Sequence, residues 1–591
     1  MGIDTARPPG PGAGKPAPLP AGEATRRFLT ALTDAMRPAT TPVGTAAADA
    51  AEVSAGRMGV ARADAMRRGT APPDTAAADV AEVSAGRMGV ARTGATPMQT
   101  VPVADVGGEI GAVKRYADTV RLPLPDDARD MRPDPGLALT GRLMRHLLGI
   151  GRIGWTYTAP APAGRPEAGQ AVTLRIHRPV PSGGALYPVE AYLAGGSHGF
   201  PSGLHHYDRA HHALQLIRQG DHRTALLEAL PFPPAATPPD LVLVFTAVFR
   251  RTATKYGELA YPLQCQETGA LLAQSLVLAE DLRLSAALHA AFNGPLIDRL
   301  LDLPEGAEGT LAVLCLTAPR DRGAARPRAA PRAHELIAQP AAAAIDPPPS
   351  AADTPPHLAA LHAAATTPPE QDGPWGKGPA RPVSEPGVGH AMSLPEPASA
   401  RLIAGIAHRC SAPAGFDPGP IVPDAFARIL IAAAEGYPGD APGSAEGPVS
   451  CEIHVWALRV DGVPPGSYRY DPGKHRLDPV ARWRSPFEVA GRLPPLTRLS
   501  LGEAAAVIFP VGDPVEGAAR FGDSWYRLQL IETGLVLHRA ALAAAALGLA
   551  ARLHTDVCHH AADAVLGLHG QARRGLGALL VGRPPRRTPT R

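Results

Sequence analysis

The stretch Arg178–Leu193, RPVPSGGALYPVEAYL, is the part of this 591-residue chain best suited to chemistry. Ser182, Gly183 and Gly184 follow a strand-like run. Two successive glycines leave backbone N–H groups with no Cβ in the way, so a planar ligand or an anion can approach the main chain closely. Tyr187-Pro188 then stiffens the exit; as a bare pattern the stretch is also an ordinary glycine-rich turn. Further on stand Lys255 and Tyr256. Only five lysines occur among the 58 basic residues, so a lysine inside a folded segment stands out. Other patterns carry less. GIGRIG (149–154) has the spacing of a dinucleotide loop, but LTGRLMRHLL before it is helical in pattern and prolines follow. A helix C-cap and turn is expected there, not a Rossmann strand–turn–helix. His205, His206, His211 and His212 flank a hairpin turn, and His554, Cys558, His559 and His560 follow a helix. With no second carboxylate or cysteine set beside them they read as solvated loop histidines, and no metal site is expected.

The elements that must hold these residues occur twice. In the first segment AVTLRIH (171–177) leads into the PSGG turn, followed by VEAYLA (189–194) and a hairpin of LHHYD (204–208) and ALQLI (213–217). LVLVFTAVF (241–249) has the length and β-branched content of a buried strand. A long helix is expected from near Pro262, where proline suits the first turn, and LAVLCL (311–316) closes the segment. The second segment repeats the order with IHVWALRV (453–460), a YRYD/HRLDPV hairpin (468–480), AAAVIFPV (504–511), a helix over 532–553 and GALLVG (577–582). KYGELAYPLQCQETG (255–269) lies over RFGDSWYRLQLIETG (520–534) without a gap, so a whole α+β domain has been duplicated.

Composition bounds the rest. With 62 glycines and 67 prolines the chain carries low-complexity stretches, yet 45% hydrophobic residues leave material for real cores. Residues 1–112 read as a low-complexity arm in which Thr45–Arg62 recurs almost unchanged as Thr75–Arg92, too few copies for a solenoid. Residues 320–392 read as a Pro/Ala-rich linker with one short helix, and 586–591 as a tail. A net charge of +3 without a basic block excludes nucleic acid as the main partner. The longest apolar run, Ala540–Ala551, falls short of the roughly 20 residues of a membrane span. No secretory signal is visible, and five scattered cysteines without a CxxC suggest reduced thiols, so a cytoplasmic protein is expected.

PSGGALYPVEAYL, GLHHYD, HALQLI, Lys255-Tyr256-Gly257, ETGALLAQSLVLAEDLRL and LLDLP, in that order over about Lys114–Thr317, resemble the SagB-type dehydrogenases. These are FMN-dependent azoline oxidases of thiazole/oxazole-modified peptide pathways, within the nitroreductase-like flavoprotein superfamily. About Ser393–Pro585 resembles the same fold more loosely. The resemblance implies an α+β fold of tandem nitroreductase-like domains, at 113–319 and 393–585. Each would be a central, mostly antiparallel sheet flanked by helices, and together they would form an intrachain pseudo-dimer with FMN at the interface. It also implies that an Arg-Arg-Ser-like motif of one half holds the phosphate while the Pro-Ser turn of the other lies near the flavin ring. Here the losses are complementary. The first segment has the turn without the phosphate motif. The second has HRCSAPAGF (408–416), but only PVSCEIHVW (448–456) in place of the turn. One composite site is expected, with Arg178, Ser182, Gly183 and Gly184 from one half and Arg409, Ser411 and Arg583 from the other.

The same resemblance associates Lys255-Tyr256 with catalysis, where the second segment has Arg520-Phe521. Dehydrogenating an azoline requires removal of a ring proton as well as hydride transfer to the flavin. Either Tyr256, its phenolate favoured by the adjacent ammonium, or a desolvated Lys255 could be the base. The expected substrate is a precursor peptide bearing thiazolines or oxazolines, supplied by a cyclodehydratase complex, with oxygen reoxidising the flavin. The alternatives are a general NAD(P)H-dependent nitro or quinone reductase and a non-catalytic scaffold subunit. A further homodimer is compatible with either.

Overall fold

The structure, a computed structural model, describes residues 20–36, 114–116, 119–125, 135–157, 172–196, 199–231, 238–319, 332–344, 350–367, 390–396, 401–412, 415–440, 449–483, 498, 500–554, 560–568 and 571–585. The thirty-residue repeat, Cys558 and His559 lie outside them. After α1 (Glu23–Met36) come β1 (Arg121–Pro123), α2 (Pro135–Leu148), β2 (Arg152–Tyr157), β3 (Val172–His177), β4 (Val189–Gly195), β5 (Gly203–Asp208) and β6 (Ala213–Arg218). The first half continues with α3 (Arg223–Leu227), β7 (Leu241–Val248), α4 (Phe249–Tyr256), α5 (Ala260–Asp281), β8 (Ser285–His289), α6 (Gly294–Leu301) and β9 (Glu308–Thr317). Seven of these strands form an antiparallel sheet in the order β1-β6-β5-β4-β7-β9-β8, while β2 and β3 pair separately.

Two short helices, α7 (Ala333–Ile337) and α8 (Pro356–Ala365), lead to β10 (Met392–Ser393), α9 (Leu402–His408) and α10 (Pro423–Ala434). Then follow β11 (Glu452–Ala457), β12 (Gly466–Asp471), β13 (Arg476–Arg482), β14 (Ala506–Gly512), α11 (Pro514–Phe521) and α12 (Ser524–Ala546). The last elements are β15 (Ala550–His554), α13 (His560–Val565), β16 (Arg574–Gly575) and β17 (Ala578–Gly582). The second sheet runs β10-β13-β12-β11-β14-β17-β15, with β16 beside β14. Strand for strand this is the order of the first sheet, so the duplication read from the sequence is a duplication of topology.

The long helices α5 and α12 are apolar almost all round, which only a helix covered on every side tolerates. They pack on each other, and one apolar core runs through both into the two sheets. Their approach is set by two glycines of the repeated ETG triplet. A Cβ on Gly269 would run into the Ile531 carbonyl, and one on Gly534 into the Gln266 carbonyl, a reciprocal pair. Buried Arg527 of α12 reaches across to the carbonyls of Leu311 and Ala290, both at 2.5 Å, and Gln266 donates to Leu576 O at 2.8 Å.

Several expectations change. The helix expected over 532–553 begins eight residues earlier and stops at Ala546. Gly548, at φ +72°, ends it while Leu549 N bonds back to Ala544 O at 2.8 Å. The chain then pairs with β17 as β15. Alanine-rich sequence reads as helix by propensity, and the sheet edge overrides it. The arm at 1–112 contains a docked helix: Phe28 of α1 is fully buried against Tyr261 and Tyr526, and Thr25 bonds Asp523. The linker packs too, with Leu336, Leu358 and Leu361 buried. His205 and His206, expected in solvent, are buried on β5, and His206 meets Glu190 at 3.1 Å.

Candidate active site

Between the end of β3 and the start of β4 the chain makes a tight turn. Gly184 sits at φ +64°, followed by Ala185 at +56° and Tyr187 at +48°. Left-handed backbone at non-glycine residues persists only where surroundings over-determine it. Here Tyr187 N donates to Ser182 Oγ at 2.8 Å, and Arg178 N donates to the Tyr187 hydroxyl at 3.1 Å. The Arg178 guanidinium lies over the Tyr187 ring, 4.3 Å from its centre. From the other half, Arg409 donates through Nε and Nη2 to Pro179 O at 3.1 and 3.0 Å. The turn is thus clamped by its own side chains and by an arginine 230 residues away.

It forms one wall of a cavity of about 350 Å³. The first half contributes Ser182, Gly183, Gly184, Tyr256, Gln266 and Glu267; the second contributes Ser411, Gly534, Leu537 and the β15 residues Arg552, Leu553 and His554. A neighbouring cavity of about 490 Å³ shares Ser411 and Leu553 with it and is lined by Arg409, Cys410 and the alanines of α12. Of the residues expected at a site, Ser182, Gly183, Gly184, Tyr256 and Ser411 meet on the first cavity, and Arg409 and Ser411 on the second. Lys255 is exposed, and its Nζ lies 5.1 Å from the centre of the Tyr256 ring. A Cβ built on Gly184 would fall 2.7 Å from Tyr256 Oη and 3.1 Å from Lys255 Nζ, which places both groups at the turn.

Two expected ligands stand elsewhere. Arg178 does not line either cavity; it sits behind Tyr187, with a buried Nη1 that has no partner. Arg583 is exposed and reaches towards Gly419, and neither cavity includes it.

Behind the turn lies a buried ionic cluster. Glu190 accepts from Arg209 at 3.1 Å through both oxygens and from Arg251 at 2.5 Å. Burial opposes its charge, but the two guanidiniums outweigh burial and hold it well below the usual carboxylate range. Glu267 differs. Burial pushes it up to about 7, against a Ser182 hydrogen bond and the more distant charges of Arg178, Arg209 and Arg251. Sequence reasoning passed over Glu267, although it heads the duplicated ETG triplet. It also passed over Arg552, because the segment that carries it reads as helix, and it read His554 as a solvated loop histidine where the structure sets it on β15 at the cavity.

The corresponding place in the second half is filled. Glu532, the counterpart of Glu267, accepts from Tyr437 Oη at 2.7 Å and from Ser450 N at 3.0 Å, and bonds the Ser450 hydroxyl. The segment Tyr437–Asp440 then seals it. Leu288 N donates to Pro438 O at 2.9 Å, Asp440 accepts from the amides of Ala290 and Ala291 at 2.8 and 3.1 Å, and Gly439 lies so close to Leu288 O that no Cβ would fit.

The Nitroreductase family model matches residues 166–316, which carry the turn, Lys255-Tyr256 and Glu267. The chain contains a nitroreductase-family domain. The chain is 24% identical over 145 residues to the microcin B17-processing protein McbC of Escherichia coli. The match takes in 23% of this chain and 53% of McbC, so the chain spans about half the length of this curated relative. A crystal structure assigned as a nitroreductase, from Anabaena variabilis, superposes with a TM-score of 0.62 at 21% identity, covering 80% of this chain and 93% of that one. An overlap of that extent extends beyond the nitroreductase-family domain, and both chains share the fold of helices flanking antiparallel sheets. Among the described residues no helix is long and apolar enough to cross a membrane.

Proposed function

We propose that the chain is an FMN-dependent dehydrogenase that oxidises thiazolines or oxazolines in a precursor peptide to azoles, its two halves acting as an intrachain pseudo-dimer around one cofactor. One observation carries this reading: a single cavity has the PSGG turn and Tyr256 on one wall and Ser411 with β15 on the other. The likeness to a microcin-processing protein supports a peptide as the substrate.

The residues fit the cofactor. The glycine floor at 183–184 lacks the side chains that would block a flat ring, and a Cβ there would meet Tyr256 and Lys255. Ser411, Arg409 and half-buried Arg552 offer hydroxyl and cationic donors for an anionic tail. The two adjoining volumes fall in the usual range for a small-molecule site, about 300–1,000 Å³. When bound, the flavin supplies the two-electron acceptor. Ser182, Gly183 and Gly184 would lie beside its ring, and Arg409 and Ser411 would hold the phosphate.

Tyr256 lines the cavity and, as the phenolate, would take the ring proton and become neutral, the Lys255 cation beside its ring favouring the phenolate beforehand. Arg520-Phe521 of the second half offers neither a hydroxyl nor a removable proton, in keeping with the sealed position there. A cyclodehydratase partner would install the azoline. The purified full-length chain should be yellow with one FMN per polypeptide, and should remove one pair of hydrogens per azoline ring from a cyclodehydrated peptide, followed by mass spectrometry. A colourless protein, two cofactors per chain, or turnover of nitroarenes with NAD(P)H but never of azoline peptides would refute it.

A further inference from the structure

Glu267 is the buried acid of the cavity that the proposed chemistry leaves unused. It lines the cavity from α5, opposite β15, and its hydrogen-bond partner is the Ser182 hydroxyl at the head of the turn. That hydroxyl already accepts a bond from Tyr187 N. It has one proton to give, and a carboxylate at Glu267 claims it. If Glu267 carries a proton of its own, it can donate to the remaining lone pair of Ser182 Oγ, and the serine proton is free to turn into the cavity. We propose that Glu267 is a positioning residue which, by gaining or losing a proton, decides whether Ser182 presents a hydrogen-bond donor to a ligand in the cavity.

The surroundings suit such an exchange. Arg209 and Arg251 are committed to Glu190, which leaves Arg178 as the remaining cation of the cluster facing Glu267 from the turn. On the cavity side the charged or titratable neighbours are Tyr256, Arg552 and His554, with Lys255 at the edge of the turn. Burial places the Glu267 carboxyl at about 7, so both states are populated near neutral pH. In the second half Glu532, the counterpart of Glu267, is bound by Ser450, by Tyr437 Oη and by a backbone amide.

The test uses the full-length chain and two readouts. The first needs no cofactor: the infrared band of a protonated carboxyl, recorded from about pH 5.5 to about pH 8.5 and taken as wild type minus Glu267→Gln, should vanish across that range. Ser182→Ala, which removes a bond to the charged form, should move its midpoint to higher pH. No such band, or a midpoint unmoved by Ser182→Ala, overturns the proposal. The second readout is riboflavin affinity by fluorescence quenching, riboflavin being chosen because it lacks a titrating phosphate. Wild-type affinity should fall about three-fold or more as pH rises through neutrality. Glu267→Gln should keep the low-pH affinity throughout, and Ser182→Ala should bind more weakly with no pH response. A pH response retained in either variant also overturns it. Only the choice of probe rests on the flavin reading: a protein that shows the carboxyl band and its Ser182 dependence but binds no flavin supports the proton exchange and sinks the cofactor assignment.

Discussion

Gly184→Ala separates backbone strain from intrusion into the cavity. At φ +64° the new Cβ costs about 1–2 kcal/mol through the left-handed conformation alone. It would also arrive 2.7 Å from Tyr256 Oη and 3.1 Å from Lys255 Nζ, so both side chains must retreat by several tenths of an ångström or more. Gly462 is the control: at φ +73° it too has positive-φ backbone, yet nothing lies within 4 Å of its Cβ position and it lines neither cavity. Thermal melts of the two variants should therefore show similar losses of stability. Turnover should part company. A displacement approaching 1 Å in a reacting group costs on the order of 100-fold, so Gly184→Ala should lose about that much azole formation while Gly462→Ala stays near wild type. The assay is the initial rate of hydrogen loss from an azoline peptide, with flavin content measured on the same samples. Equal rates in the two variants, at equal stability, would show that Tyr256 and Lys255 do not act at the Gly184 turn.

Three further outcomes are expected. Lys255→Ala combined with Tyr256→Phe should abolish azole formation while flavin absorbance is retained; surviving turnover removes the pair from the mechanism. Arg409→Ala should release FMN although it stands in the opposite half from the turn, and should destabilise the chain by about 1.5–3 kcal/mol through the lost bonds to Pro179 O; unchanged flavin content counts against a shared site. His362, with both ring nitrogens buried and unpartnered and its ring 4.8 Å from Phe249, is pushed down to about 3 by burial, with Arg527 adding. Its folded value lies below its unfolded value of 6.5, so the unfolded chain binds the extra proton and stability is lost as pH falls from 6.5 towards 3. His362→Phe should flatten that acid limb in urea melts, and an unchanged slope would refute this account.

Much of this was legible before any coordinates. The gapless match of 255–269 with 520–534 pointed to a repeated set of elements, and the strand order the two sheets share came only with the fold. The PSGG turn and Lys255 stood out by residue type, Tyr256 came from the family resemblance, and Tyr256 lines the cavity. What escaped notice was carried by alanine and leucine. β15 hides in an apolar run that reads as helix, and with it Arg552. α1 hides in an arm of biased composition, its docking revealed only by a buried Phe28.

By itself the sequence determined the α+β class, the duplication, the glycine turn and the asymmetry between its two halves, since these depend on residue type and local order. Only the tertiary structure decided that Arg178 lies behind Tyr187, that Arg583 reaches Gly419, and that Glu267 borders a cavity while Glu532 is sealed by Tyr437–Asp440. The reason is physical. Whether a carboxyl is buried, paired or open depends on which distant segments close around it, and chain positions hundreds of residues apart meet here along α5 and α12, where two glycines set the approach.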